Sequence, residues 1–219
     1  MRLIAHRGFA AVAPENTIAA ILSAGADASI VEFDVRRCGS GELVVIHDET
    51  IDRVTNGVGT VADLDLETLQ SYSVQGSEER IPTLEEVLAV LPSTVDVNLE
   101  LKADGIAPDV LDALEGVENR VVCTSFRTTE LQRVFNLDPT QPTGLLVGKR
   151  LTTPVTTAVE LGCDVIGAHA RRCLLTRLVP RAKSLGLEVH AWAIPGLKTA
   201  RILRWRGVDC VSSDRPLSI

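Results

Sequence analysis

Short β-branched or aliphatic runs alternate with longer helical patterns through most of this 219-residue sequence, and that alternation constrains the fold more than any other feature. Strands that return parallel need a crossover of a dozen or more residues, so repeated strand–helix spacing implies a parallel sheet covered by helices. The strand candidates are Leu3–Ala5, Ile30–Val35, Leu43–Ile46, Val95–Leu101, Val121–Thr124, Gly144–Val147, Val165–Ala168, Glu188–Ala193 and Val208–Ser212. Nine is one too many for an eightfold barrel. The surplus is local: only residues 36–42 separate the second and third runs, too few for a parallel crossover, so these two form an antiparallel hairpin. A turn centred on Gly39 to Gly41 sets Val35 near Val44 and brings Glu32 close to His47. Counting the return strand as part of a loop leaves eight strands, hence an α/β fold, a (β/α)8 TIM barrel with a β-hairpin after strand 2. An open doubly wound sheet is the alternative.

Helical patterns support the barrel: Glu15–Gly25 follows the first strand, Thr83–Leu91 precedes the fourth and Leu174–Leu185 precedes the eighth. Gly25, Gly162, Gly186 and Gly207 stand where helices should end. Residues 48–80 differ, being rich in polar and turn residues with one short helical pattern at Asp65–Tyr72, and read as a small insertion. The Asn56-Gly57-Val58-Gly59 stretch lacks the Lys-Ser/Thr of a phosphate-binding loop and reads as a turn. Residues 1–219 are therefore expected to form a single barrel domain.

With 45% hydrophobic and 23% charged residues, disorder and collagen-like repeats are excluded. The net charge of −7 argues against nucleic acid and against stable association with an anionic membrane. Five cysteines without a CxxC pair read as reduced, buried thiols. No charged-then-apolar leader opens the sequence and no apolar run approaches the ~20 residues of a membrane span, so a cytoplasmic protein is expected.

In a parallel barrel the reactive groups gather at the carboxyl ends of the strands. The first strand ends in His6-Arg7-Gly8. Period-2 alternation puts Glu32 and Asp34 on one face of the second strand, and Asp96, Asn98, Glu100 and Lys102 on one face of the fourth. His47 ends the hairpin. Glu32, Asp34 and Glu100 would then share a small volume in which joint ionisation is opposed, so either a carboxyl is protonated or a cation sits between them. All-oxygen ligands suit Mg²⁺ or Ca²⁺. Arg7 and Lys102 add a phosphate-binding fork and a point charge. Two histidines can take a proton from a nucleophile and give one to a leaving alkoxide near pH 7. Together these groups suit attack on a phosphodiester.

The same residues occur in an ordered series of motifs: Ala5-His6-Arg7-Gly8, Pro14-Glu15-Asn16-Thr17, Val31-Glu32-Phe33-Asp34-Val35, Val44-Val45-Ile46-His47-Asp48, Asp52-Arg53-Val54-Thr55-Asn56-Gly57, Ile81-Pro82-Thr83-Leu84-Glu85-Glu86, Asn98-Leu99-Glu100-Leu101-Lys102, Thr124-Ser125-Phe126 and Ser213-Asp214-Arg215-Pro216. In this the sequence closely resembles the glycerophosphodiester phosphodiesterases, phospholipase C-like phosphodiesterase barrels. The resemblance implies the barrel and its insertion, and hydrolysis of small glycerophosphodiesters to glycerol 3-phosphate and an alcohol with a divalent cation as cofactor. It implies Glu32, Asp34 and Glu100 as metal ligands, His6 and His47 as the acid/base pair, and Arg7 and Lys102 as phosphate ligands. Glu15 would be either adjacent to the site or a helix-start carboxylate. Where the family has Trp-Thr-Val-Asn, this sequence has Trp192-Ala193-Ile194-Pro195, which keeps Trp192 as an apolar wall for glycerol and loses the polar residues after it. His169 and His190 lie outside the motifs and read as structural or peripheral. His47 is the expected acid and His6 the base. The rival readings are a lysophospholipase D-type phosphodiesterase and a barrel that binds phosphate compounds without turnover; the second would lack a histidine or a ligand carboxylate, and all five are present. Oligomeric state is left open by the sequence.

Overall fold

The computed structural model describes residues 1–148 and 151–219. Among the described residues nine strands form one sheet: β1 (Arg2–Ala5), β2 (Ile30–Arg37), β3 (Leu43–Val45), β4 (Asp96–Leu101), β5 (Val121–Ser125), β6 (Thr143–Val147), β7 (Val165–His169), β8 (Glu188–Trp192) and β9 (Cys210–Ser213). The spatial order is β1-β9-β8-β7-β6-β5-β4-β2-β3, and β1 also pairs with β2, which closes eight parallel strands into a barrel. Only β3 is antiparallel, on the far half of β2. This is the (β/α)8 TIM barrel expected from the strand spacing.

The hairpin register is one residue on from the expectation: Val35 faces Val45, and Val44 faces Arg36. The turn is closed by the Cys38 amide donating to the Glu42 carbonyl at 3.0 Å, which makes Ser40 its midpoint. His47 still reaches the same cavity as Glu32.

The helices are α1 (Ile18–Asp27), α2 (Leu66–Ser71), α3 (Leu84–Val90), α4 (Ala107–Ala113), α5 (Thr128–Leu137), α6 (Pro154–Glu160), α7 (Ala170–Leu175), α8 (Leu178–Ser184) and α9 (Leu197–Trp205). Residues on the outer face of the strands, such as Val31, Phe33, Leu99 and Val189, pack beneath them and carry the main core. The barrel interior is unusually polar, and its apolar floor is the small group Ile4, Ile30 and Cys210. A third cluster joins the hairpin to residues 48–80, with Val44, Ile46, Ile51, Val54, Leu69 and Val74 buried together. Asp96, expected on the same face as Glu100, lies at the opposite end of the barrel, where Arg2 reaches it at 2.7 Å and Glu188 at 2.6 Å.

Three helix boundaries depart from the sequence pattern. The first helix begins at Ile18 rather than Glu15, because Asn16 takes a left-handed conformation (φ 59°) and the Thr17 side chain caps the helix by accepting from the Ala20 amide. Gly25 does not end that helix; its missing Cβ lets Val95 approach, since a Cβ there would stand 3.3 Å from Val95 Cγ2. Gly162, Gly186 and Gly207 do follow helix ends at positive φ (69°, 82° and 90°). The expected helix 174–185 is two helices, interrupted at Thr176, whose hydroxyl donates to the Arg172 carbonyl and accepts from the Leu178 amide. The 83–91 pattern forms α3 behind a complete Thr83–Glu86 capping box. All five cysteines are unpaired and buried. Among the described residues no helix is long and apolar enough to cross a membrane.

Candidate active site

The carboxyl ends of the strands surround a cavity of about 350 Å³ lined by His6, Arg7, Glu32, His47, Glu100 and Lys102, among others. A wider groove continues from it past Asp48, Arg36 and Arg127. A tight left-handed turn leads out of β1: Arg7, Gly8 and Phe9 have φ of 50°, 74° and 64°. Only glycine fits the middle position, since a Cβ at Gly8 would lie 2.8 Å from the Ala20 backbone. The turn aims the Arg7 amide at Glu32, to which it donates at 2.8 Å.

Glu32, Asp34 and Glu100 each offer an oxygen within 4.8 Å of the other two, and all three are buried. Asn16, held in its left-handed conformation, donates to Asp34 Oδ2 at 3.0 Å and fixes that carboxylate. Lys102 Nζ donates to Glu100 at 2.6 Å and lies 3.3 Å from Asp34 Oδ1, too poorly aligned to hydrogen-bond it. Asp34 Oδ1 is thus buried without a hydrogen-bond partner. Burial and the Asp34 charge, with Glu32 adding to it, push Glu100 up to about 8 in spite of Lys102. Burial tends to raise Asp34 as well, but Lys102, Arg7 and His47 prevail and hold it below the usual range. Three buried carboxylates, one with an orphaned oxygen and one pushed to hold a proton, form a hard all-oxygen donor set of the kind that fits Mg²⁺ or Ca²⁺.

Both histidines are tethered by carboxylates. His6 Nδ1 is 2.6 Å from Asp214 Oδ1, and His47 Nδ1 is 2.5 Å from Asp48 Oδ1. Each tether fixes the ring and leaves Nε2 for the cavity. Their protonation tendencies diverge. Burial lowers both; at His6 the Glu32 and Asp214 carboxylates outweigh it and the pKa rises, whereas at His47 burial prevails, helped by Lys102 and Arg7, and the pKa falls. That ordering runs against the expectation that His47 is the acid.

Glu15 is no helix-start carboxylate. It is buried ahead of α1 and accepts from Arg7 Nη1 at 2.9 Å and from Arg53 Nη1 and Nη2 at 2.8 and 2.7 Å. Arg53 also bonds Asp48, so one guanidinium from residues 48–80 braces both the carboxylate that holds Arg7 and the tether of His47. Trp192 stands in the cavity wall, edge-on to Phe126 (5.7 Å) and His169 (5.5 Å). Lys102 lies over the Phe126 ring at 5.8 Å.

The structure therefore brings together all eight sequence-derived site residues. His169 and His190, read as structural or peripheral, both line the cavity, and His190 Nε2 also lies 3.0 Å from Glu188 Oε1. Sequence reasoning gave no role to Asp48, Asp214, Asn16 or Arg53, although all four stand inside the quoted motifs. Deeper in the cavity, Asn98 Oδ1, His190 Nδ1, Trp192 Nε1 and Ser212 Oγ are buried without hydrogen-bond partners.

The profile of the glycerophosphoryl diester phosphodiesterase family matches residues 6–218. A glycerophosphodiester phosphodiesterase of Caldanaerobacter subterraneus is 34% identical, over 98% of this chain and 94% of its own. Among solved structures, an Oleispira antarctica phosphodiesterase in complex with its product sn-glycerol 3-phosphate superposes with a TM-score of 0.91 at 29% identity, over 99% of this chain and 94% of that one. The Agrobacterium tumefaciens glycerophosphodiester phosphodiesterase does so with a TM-score of 0.87 at 25% identity, over 99% and 97%. With its fold, its carboxylate cluster and these full-length likenesses in agreement, the chain belongs to the glycerophosphoryl diester phosphodiesterase family of enzymes.

Proposed function

We propose that the cavity hydrolyses small glycerophosphodiesters to glycerol 3-phosphate and an alcohol, with a divalent cation held by Glu32, Asp34 and Glu100. The observation that carries this is the convergence of that buried carboxylate set with two tethered histidines in one cavity. The relative solved with sn-glycerol 3-phosphate supports the same substrate class. When bound, the cation would supply positive charge to a non-bridging phosphate oxygen. Arg7 and Lys102 face the same cavity and would share that role, one as a fork and one as a point charge.

The two histidines would carry the protons. His47, held below the ordinary histidine value, accepts one from the attacking oxygen as the new P–O bond forms. His6, held above it, donates one to the leaving alkoxide as the old P–O bond breaks. A cation on Glu32 weakens one of the two influences that raise His6, but the 2.6 Å contact with Asp214 remains. The glycerol end would lie against Trp192, with its hydroxyls within reach of the unpartnered atoms of Asn98, His190 and Ser212. These stand in for the polar residues that Ala193-Ile194-Pro195 lacks. The nucleophile is water or the glycerol 2-hydroxyl. Following ³¹P signals during turnover of glycerophosphocholine tests the reading: the glycerol 3-phosphate signal should grow with cation and stop with chelator, and a cyclic phosphate appears and decays only if the hydroxyl attacks. Equal turnover with and without chelator would refute the cation's part.

A further inference from the structure

The net charge of −7 hides an uneven distribution. Residues 170–206 hold nine of the 22 Lys and Arg but one of the 29 acidic residues, and that one, Glu188, points to the barrel floor and pairs with Arg2. Among the described residues, only Lys183 of the nine has an acidic partner, Asp209 at 2.8 Å. The helix α9 buries Ala200 and Leu203 against the barrel and turns Lys198, Arg201, Ile202 and Trp205 outward, the i, i+3, i+4, i+7 pattern of a single helix face. Trp205 is 85% exposed and Ile202 52%. Arg206 ties the end of α9 to the end of α7 by donating to the Cys173 and Thr176 carbonyls at 2.9 Å, and there Leu175 is 78% exposed.

Cations interleaved with exposed tryptophan and aliphatic side chains match one kind of surface. Trp favours the headgroup boundary of a bilayer, aliphatic groups enter the acyl edge, and arginine stems lie along it with their charge among anionic headgroups. Duplex nucleic acid would use the arginines but gains nothing from Leu175 and Ile202. A second copy of this chain, packed two-fold on the same face, would set unpaired cations against one another. The face also starts close to the chemistry: α9 begins four residues after Ala193, which lines the cavity.

We propose that the outward face of α7 and α9, centred on Lys198, Arg201, Ile202, Trp205 and Leu175, docks reversibly on anionic phospholipid bilayers. The attachment is electrostatic and peripheral. It differs from the stable membrane association that the overall negative charge argues against. Flotation of the whole protein with phosphatidylcholine vesicles, with and without phosphatidylglycerol, at about 0.05 and 0.5 M salt, tests this. Binding should require phosphatidylglycerol and fall at the higher salt. Each cation near such a surface strengthens binding about fivefold, so removing two would weaken it about 25-fold and reversing two, Lys198→Glu with Arg201→Glu, should weaken it further still. Trp205→Ser should weaken it without altering the need for anionic lipid. Neither change touches the cavity, so hydrolysis of glycerophosphocholine in solution and the thermal midpoint should hold, which separates loss of docking from loss of fold. The proposal is overturned if the active protein ignores anionic vesicles at low salt, binds neutral vesicles equally, or keeps its affinity after the double reversal. Tighter capture by duplex DNA than by vesicles, or a dimer abolished by Trp205→Ser, overturns it too.

Discussion

Replacing Glu100 by Gln should stabilise the metal-free protein at alkaline pH, although it removes a proposed metal ligand. Glu100 is pushed from its ordinary value of 4.5 to about 8 by burial and by Asp34. Between those values the folded state keeps a proton that the unfolded chain has released, so the unfolded state binds fewer protons and stability falls as pH rises. The loss is absent below pH 4.5 and complete above pH 8. Integrated, the penalty is under about 1 kcal/mol at pH 5 and about 4 kcal/mol at pH 8. Gln keeps the shape and an oxygen acceptor for Lys102, whose ammonium retains Asp34 3.3 Å away. Urea unfolding in chelator, followed by circular dichroism, should therefore find Glu100→Gln close to the wild type at pH 5 and more stable by up to about 4 kcal/mol at pH 8. Saturating Mg²⁺ or Ca²⁺ should stabilise the wild type and reverse that order. A variant less stable than the wild type at pH 8 in chelator, or an equal difference at both pH values, would mean that Glu100 does not hold a proton in the folded state.

The same carboxyl proton should leave when a cation binds, so titration calorimetry near pH 7 in buffers of different ionisation enthalpy should detect proton release in the wild type and about one proton less in Glu100→Gln. The pH dependence of kcat/KM at saturating cation should be bell-shaped, the acid limb set by the proposed base His47 and the alkaline limb by the proposed acid His6, and each limb should be lost in the matching Ala variant. His6→Ala should cost about 10²- to 10⁴-fold on an alkyl diester and far less on a nitrophenyl diester, whose leaving group needs no proton, while His47→Ala should be impaired on both. Equal impairment on both substrates for His6→Ala would return the acid role to His47. Glu15→Gln removes a charge that grips Arg7 and Arg53, and should raise KM about tenfold with a smaller effect on kcat.

Much of the fold follows from periodicity. Strands that alternate apolar with polar residues put Phe33 and Leu99 under the helices and Glu32, Asp34 and Glu100 into the barrel, and a seven-residue gap between two strands can only turn back. What stays hidden depends on single local conformations and long-range pairing. Glu15 looks like the start of a helix until Asn16 adopts a left-handed conformation and frees the carboxylate for two arginines. Asp214 is 208 residues from His6; barrel closure sets β9 beside β1, but no local pattern announces that the turn after β9 faces His6. The break at Thr176 depends on a hydroxyl that satisfies backbone groups a helix would otherwise use. The basic face was masked by a whole-chain charge of −7, because net charge carries no spatial information.

In the proposed reaction Glu32, Asp34 and Glu100 hold the cation on which hydrolysis depends while His6 and His47 move the protons. The decisive measurement is release of glycerol 3-phosphate from glycerophosphocholine by metal-replete wild type, chelated wild type, Glu100→Ala and His6→Ala. Metal-replete wild type should release product rapidly, and the other three should be slower by about 10²-fold or more. Wild-type levels of glycerol 3-phosphate from Glu100→Ala and His6→Ala, or none from metal-replete protein on any glycerophosphodiester, would contradict this reaction scheme.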